Sequence, residues 1–132
     1  RKDNNIPVSN ILCDEDGVGG GLVDMIKCKG FVNNSRALKG ENYDNLQAQC
    51  AFMLAEKINQ NGIFVEANDS KEQEDITEEL EQLKQKNIDV DGKKGIVGKE
   101  HVKSIIGRSP DYRDMLLMRM WFELNQSVFI ID

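Results

Sequence analysis

Apolar residues along this chain recur at helical spacing in several stretches and gather into short runs between them. From Tyr43 to Asn61, the residues Leu46, Cys50, Met53, Leu54 and Ile58 fall on one helical face, and Asn61-Gly62 supplies the stop. From Ser70 to about Lys86, Ile76, Leu80 and Leu83 make a narrow apolar stripe on a strongly acidic, solvent-facing helix. Ser70-x-x-Gln73 at its start has the spacing of a capping box. Residues 100–106 suit a short helix that Gly107 ends. Ser109 as N-cap and Pro110 in the first turn open a last helix running to about Leu124.

The short runs read as strands. VSNILCD, residues 8–14, ends at Asp14, and a glycine-rich loop from Gly17 to Gly21 leads into a short helix over Leu22 to Lys27. Gly30 to Val32 and Ile63 to Val65 suggest further strands, with a polar loop from Asn33 to Asn42 between them. Ile88 to Lys99 places Asp91-Gly92 between two short apolar runs, a hairpin signal, and the tail SVFIID is β-prone. Strands alternating with helices predict an α/β domain, and the hairpin and tail make its sheet mixed rather than purely parallel.

At 132 residues, with no repeats and no low-complexity linker, the chain fits a single domain over 1–132. The formal net charge of -6 argues against a general nucleic-acid coating protein, which carries a basic face. It leaves a nuclease open, because catalytic carboxylates are themselves acidic and bound metal ions change the local charge. The acidity is concentrated in Glu66 to Glu81. Cys13, Cys28 and Cys50 form no CxxC pair and His101 stands far from all of them, so zinc chemistry is not indicated. They read as buried, reduced residues of a cytoplasmic protein. No apolar run approaches the ~20 residues of a membrane span, and no signal peptide is visible. The chain opens on Arg1 and a polar RKDNN, and reads as a piece of something longer.

Two clusters of acids carry the candidate chemistry. Asp14, Glu15 and Asp16 follow the first strand and precede the glycines. The loop fits a dinucleotide-binding turn poorly, since the third glycine of GxGxxG falls on Leu22, and no GKS or GKT follows. Carboxylates there repel phosphate unless a cation lies between, which favours Mg²⁺ or Mn²⁺. The plainer reading is a glycine turn with solvated acids. Asp111 and Asp114 stand three apart in the first turn of the last helix, on one face, where the helix dipole favours negative charge. There too the plain reading is ordinary helix capping.

Taken together, a strand-end acid and a helix-start acid late in the chain are the layout of ribonuclease H-like nucleases. The stretches LCDEDGVGGGLVD and GKKGIVGKEHVKSIIGRSPDYRDMLLM resemble two segments of the C-terminal nuclease domain of the terminase large subunit of tailed bacteriophages and prophages. The resemblance spans about Ile11 to Leu124. It implies a ribonuclease H-like mixed sheet flanked by helices, and Mg²⁺- or Mn²⁺-dependent cleavage of concatemeric double-stranded DNA by two-metal hydrolysis. Asp14 matches the family's second metal-binding acid and Asp114 its third. Asp111 sits where some relatives place an auxiliary ligand, and Asp16 stands near enough to assist. Lys99, Lys103 and Arg108 become phosphate-contacting residues, with ordinary solvated charge as the alternative. The portal and the small terminase subunit become partners, and the bacterial host cytoplasm the location. His101, in a lysine-rich turn, reads as surface.

The chain departs from that pattern in several ways. The hairpin carrying the family's first catalytic aspartate has no counterpart, and Asp3 does not match it. The motor ATPase domain is absent as well, and Met115 follows Asp114 where relatives carry a small residue. The expectation is weak or absent cutting by this fragment, and a strand edge at Asp14 open to self-association or to the tail SVFIID. The competing class is a non-catalytic docking or regulatory domain that binds a protein partner through the acidic helix Lys71 to Lys86. Nucleotide binding at the glycine loop is a third.

Overall fold

The computed structural model describes residues 4–16, 19–87 and 92–126, which fall into two units, Arg1–Ser35 and Arg36–Asp132. The first unit is a strand–helix–strand element. A single 3-10 turn, Val8–Asn10, leads into β1, Leu12–Asp14; α1, Gly19–Ile26, then crosses to β2, Lys29–Phe31. The strands run parallel, with Leu12 opposite Lys29, Cys13 opposite Gly30 and Asp14 opposite Phe31. The Glu15 N–H donates to the Phe31 carbonyl at 2.9 Å and extends the ladder by one rung. Parallel strands need a crossover, and α1 provides it, packing on both β1 and β2. The expected strand at 8–14 is therefore shorter by its first half, because the chain turns at Val8–Asn10 before it extends.

In the second unit, α2 spans Leu46–Asn59, α3 Ser70–Glu81, α4 Lys99–Ile106 and α5 Asp111–Gln126. Between α3 and α4, β3 (Gln85–Lys86) pairs antiparallel with β4 (Gly95–Ile96). The architecture is thus mixed α/β, as the pattern predicts, and the described strands form two two-stranded ladders. The second strand of the hairpin falls in the expected segment, whereas the first lies just before it, at Gln85–Lys86; residues 88–91, including Asp91, lie outside the described residues, as does the tail SVFIID at 127–132.

The core of this unit comes from α5 packed on α2 and α3: Leu46, Leu54, Ile76, Val102, Leu116, Leu117, Met120 and Leu124 are buried. On α2, Leu46, Cys50 and Leu54 are buried as expected, whereas Ile58 is exposed. The helix begins at Leu46 rather than Tyr43 because Asn45 caps it, its side chain accepting from the Ala48 N–H at 2.9 Å. Asn61 takes a left-handed conformation with φ 55°, and the Gly62 N–H returns to the Lys57 carbonyl, a Schellman closure that uses asparagine where glycine is usual. Gln49 is buried on α2 but satisfied, accepting from the Leu38 N–H and donating to the Leu38 carbonyl.

On α3 the cap is one residue earlier than expected: Asp69 accepts from the Glu72 N–H, and Glu72 reaches back to the Asn68 N–H. The helix stops at Glu81 instead of Lys86, since residues 85–86 are drawn into the hairpin. Residues 62–67 form no strand. Ile63, Phe64 and Val65 instead line a groove of about 430 Å³ with Lys57, Leu116 and Met120. Among the described residues no helix is long and apolar enough to cross a membrane.

Candidate functional site

In the first unit, Asp14 is the last residue of β1 and is exposed. Its Oδ1 accepts the Asp16 N–H at 2.9 Å, an Asx turn that bends the chain off the strand. The Asp16 Oδ2 accepts the Asn33 N–H at 2.8 Å and also takes the Asn33 side-chain amide, so the segment after β2 fixes the Asp16 carboxylate. Glu15 lies over Gly30, occupying the space a Cβ there would need. Both acids therefore have local turn-forming work, while Asp14 still faces solvent. Cys13 and Cys28 are half-buried rather than buried, a correction to the sequence reading, and all three cysteines are free; only Cys50 is buried. A two-stranded ladder leaves much of its surface open, so Cys13 is not enclosed there.

In the second unit, Asp111 and Asp114 occupy the first turn of α5, and Asp111 is exposed. Asp114 is not free. Its Oδ2 accepts from Lys99 Nζ at 2.5 Å, and its Oδ1 accepts from Arg113 Nη2 at 2.9 Å and Nε at 3.2 Å. The lysine-rich turn and the closing helix thus meet at one carboxylate. Lys103 pairs with Glu100 at 3.6 Å across one turn of α4, and His101 is exposed.

Arg108 is held by α3. It donates to Glu78 and Glu79 at 3.1 Å each and to the Asp75 carbonyl at 3.2 Å. The Lys71 ammonium bonded to Asp75, helped by Arg108, holds the Asp75 carboxyl below its ordinary range. The expected solvent-facing acidic helix is therefore partly an internal one: Glu79 is only 1% exposed.

The residues that the sequence reading passed over are Glu79 and Arg113. Arg113 is 1% exposed, and its backbone N–H donates to Glu79 Oε1 at 3.1 Å. Pro110 precedes α5 and brings no side-chain oxygen to cap it, so a carboxylate from α3 satisfies this early N–H instead. Arg113 Nη1 is buried and unpartnered. A signal existed: Glu79 lies three residues after Ile76, on the apolar stripe of α3, where an acid needs a partner.

The oxygen donors of Asp14, Asp16 and Asp111 suit a hard divalent cation. Asp114 suits one only when Lys99 leaves it, because two cations already share its charge. Among the described residues, no group of three His, Cys, Asp or Glu side chains is assembled to hold a metal ion. The acids fit a metal one by one, in separate units, and not as a ready-made cluster. Comparison with protein-family models, with curated proteins and with solved structures gives no match.

Proposed function

We propose that this chain is the nuclease part of a phage or prophage terminase large subunit, a Mg²⁺- or Mn²⁺-dependent endonuclease for double-stranded DNA with a ribonuclease H-like fold. The observation that supports it most is the position of Asp14: an exposed carboxylate at the C-terminal end of a parallel strand, followed by a loop and a crossover helix. Open α/β folds bind ligands just beyond the carboxyl ends of such strands. The sequence resemblance adds the second set of acids, and α5 presents them in its first turn.

On this reading Asp14, Asp16, Asp111 and Asp114 would hold the ions. When bound, the metal supplies an activated water and stabilises the leaving oxygen. The chain's own residues do the rest. Asp14 and Asp16 offer carboxylates whose direction is set by the Asx turn and by Asn33. Arg113 holds Asp114 by Oδ1, and Lys99 would release Oδ2 to a metal ion. Lys99 and Lys103, both part-exposed on α4, supply positive charge for a phosphate backbone. Arg108, spent on α3, fixes the turn between α4 and α5 instead. The portal, the small subunit and a place in the host cytoplasm follow from the resemblance alone and belong to the same proposal. The docking alternative has less to work with, since Arg108 holds Asp75, Glu78 and Glu79 and leaves Glu74 and Glu81 facing outward.

Nicking of supercoiled plasmid by excess protein in Mn²⁺ tests the reading, beside Asp14→Ala and Asp114→Asn. The asparagine keeps the shape beside buried Arg113, and a melting curve shows that each variant is folded. Slow nicking that both substitutions abolish is expected. Nicking that survives both, or no nicking together with no Mn²⁺ binding, overturns it.

A further inference from the structure

Cys13 and Cys28 lie with their sulfur atoms 3.4 Å apart, in contact and without a bond. The fold explains the meeting. Cys13 is the middle residue of β1 and faces Gly30 of β2 in the parallel register. Cys28 stands two residues before Gly30, so the two-residue period of a strand turns it to the same side of the ladder as Cys13. Gly30 places no side chain between them. Neither cysteine is fully buried, so small reagents reach both. Cys28 also precedes the first rung of the ladder, Leu12 with Lys29, so its backbone is not fixed by that pairing.

We propose that Cys13 and Cys28 form a dithiol modification site that small-molecule disulfides oxidise to an internal disulfide. The sulfurs need to close from 3.4 Å to the ~2.05 Å of a bond, a movement that the unpaired backbone at Cys28 allows. One of the two thiols loses its proton and attacks the disulfide RSSR, forming a protein–SR bond and releasing RS⁻, which takes up that proton. The other thiol then attacks that protein sulfur, giving up its own proton, and the Cys13–Cys28 bond forms as the second RS⁻ leaves and is protonated. Two protein thiols are oxidised by two electrons and one RSSR is reduced to two RSH.

The bridge encloses Asp14, the glycine loop and α1, tying the strand that ends at Asp14 to the entry of β2. The site does not depend on the nuclease reading, because the geometry of the sulfurs carries it alone.

The test treats the folded chain with oxidised glutathione and maps its peptides by mass spectrometry without reduction. A peptide linking Cys13 to Cys28 is expected, with the intact mass lower by a pair of hydrogens, restored by dithiothreitol. Cys13→Ser and Cys28→Ser are each expected to give no internal link and to stop at a glutathione adduct on the remaining cysteine of the pair. Full alkylation of both cysteines after oxidant, a link through Cys50, or an adduct on wild-type protein that never resolves overturns the proposal. The wild-type map decides the matter even where a serine variant does not fold.

Discussion

Replacing Glu79 by alanine tests the buried polar contact that joins α3 to the start of α5. The Glu79 side chain is 1% exposed and serves two donors at 3.1 Å, the Arg113 backbone N–H and Arg108 Nη2. Truncation leaves a buried N–H without a partner, which costs roughly 1–3 kcal/mol. One buried methylene is lost as well, at about 0.8 kcal/mol. The Arg108 contact adds little, because that guanidinium is one-third exposed and keeps Glu78 at 3.1 Å and Asp75 at 3.5 Å. Relief of the buried carboxylate's desolvation offsets part of the total. The net expectation is a loss of about 1–3 kcal/mol for Glu79→Ala. Glu79→Gln keeps an acceptor oxygen and the side-chain volume, and is expected to lose about 1 kcal/mol. Urea unfolding followed by the fluorescence of Trp121, the only tryptophan and a residue of α5, reads both. A Glu79→Ala midpoint equal to wild type, or a glutamine variant as weak as the alanine one, would refute the tertiary cap.

Two other substitutions probe the fold independently. Gly107 closes α4 at φ 78°, with open space where a Cβ would go, so Gly107→Ala is expected to cost about 1 kcal/mol through backbone strain alone, seen as a lower melting temperature. Burial pushes the Cys50 thiol up to about 12. The folded state then keeps a proton that the unfolded chain releases near pH 8.5, so stability is full below that pH and falls by about 1.4 kcal/mol per unit as pH rises toward 12. Urea midpoints at about pH 8 and pH 10 should therefore diverge more for wild type than for Cys50→Ala; equal losses would contradict the assignment.

The helices were legible because their stops are local. Asn61-Gly62 and Gly107 end α2 and α4 by their own backbone preferences, and the three- and four-residue spacing of Leu46, Cys50 and Leu54 marks a buried face. The boundaries moved where a neighbouring residue caps better than the expected one, as Asn45 and Asp69 do. Ile63 to Val65 misled because a three-residue apolar run fits a groove wall as well as a strand. At the site, the acids at Asp14, Asp16, Asp111 and Asp114 stood out by type and spacing. What they touch did not: that Lys99 meets Asp114 fifteen residues away, or that Arg108 chooses Glu78 and Glu79 about thirty residues back, depends on packing that no local pattern encodes. The buried Glu79–Arg113 contact was half visible, in an acid placed on an apolar stripe.

The proposed nuclease function requires that the acids after β1 and the acids opening α5 bind the same divalent ions. The most direct measurement is a Mn²⁺ titration of the ¹⁵N-labelled chain, following paramagnetic broadening of backbone amide signals, with Asp14→Ala and Asp114→Asn alongside. The account predicts that signals around Asp14–Asp16 and around Asp111–Asp114 broaden together, with one midpoint, and that either substitution weakens broadening at both places. Broadening confined to one set, or two sets that respond independently to the two substitutions, would contradict it.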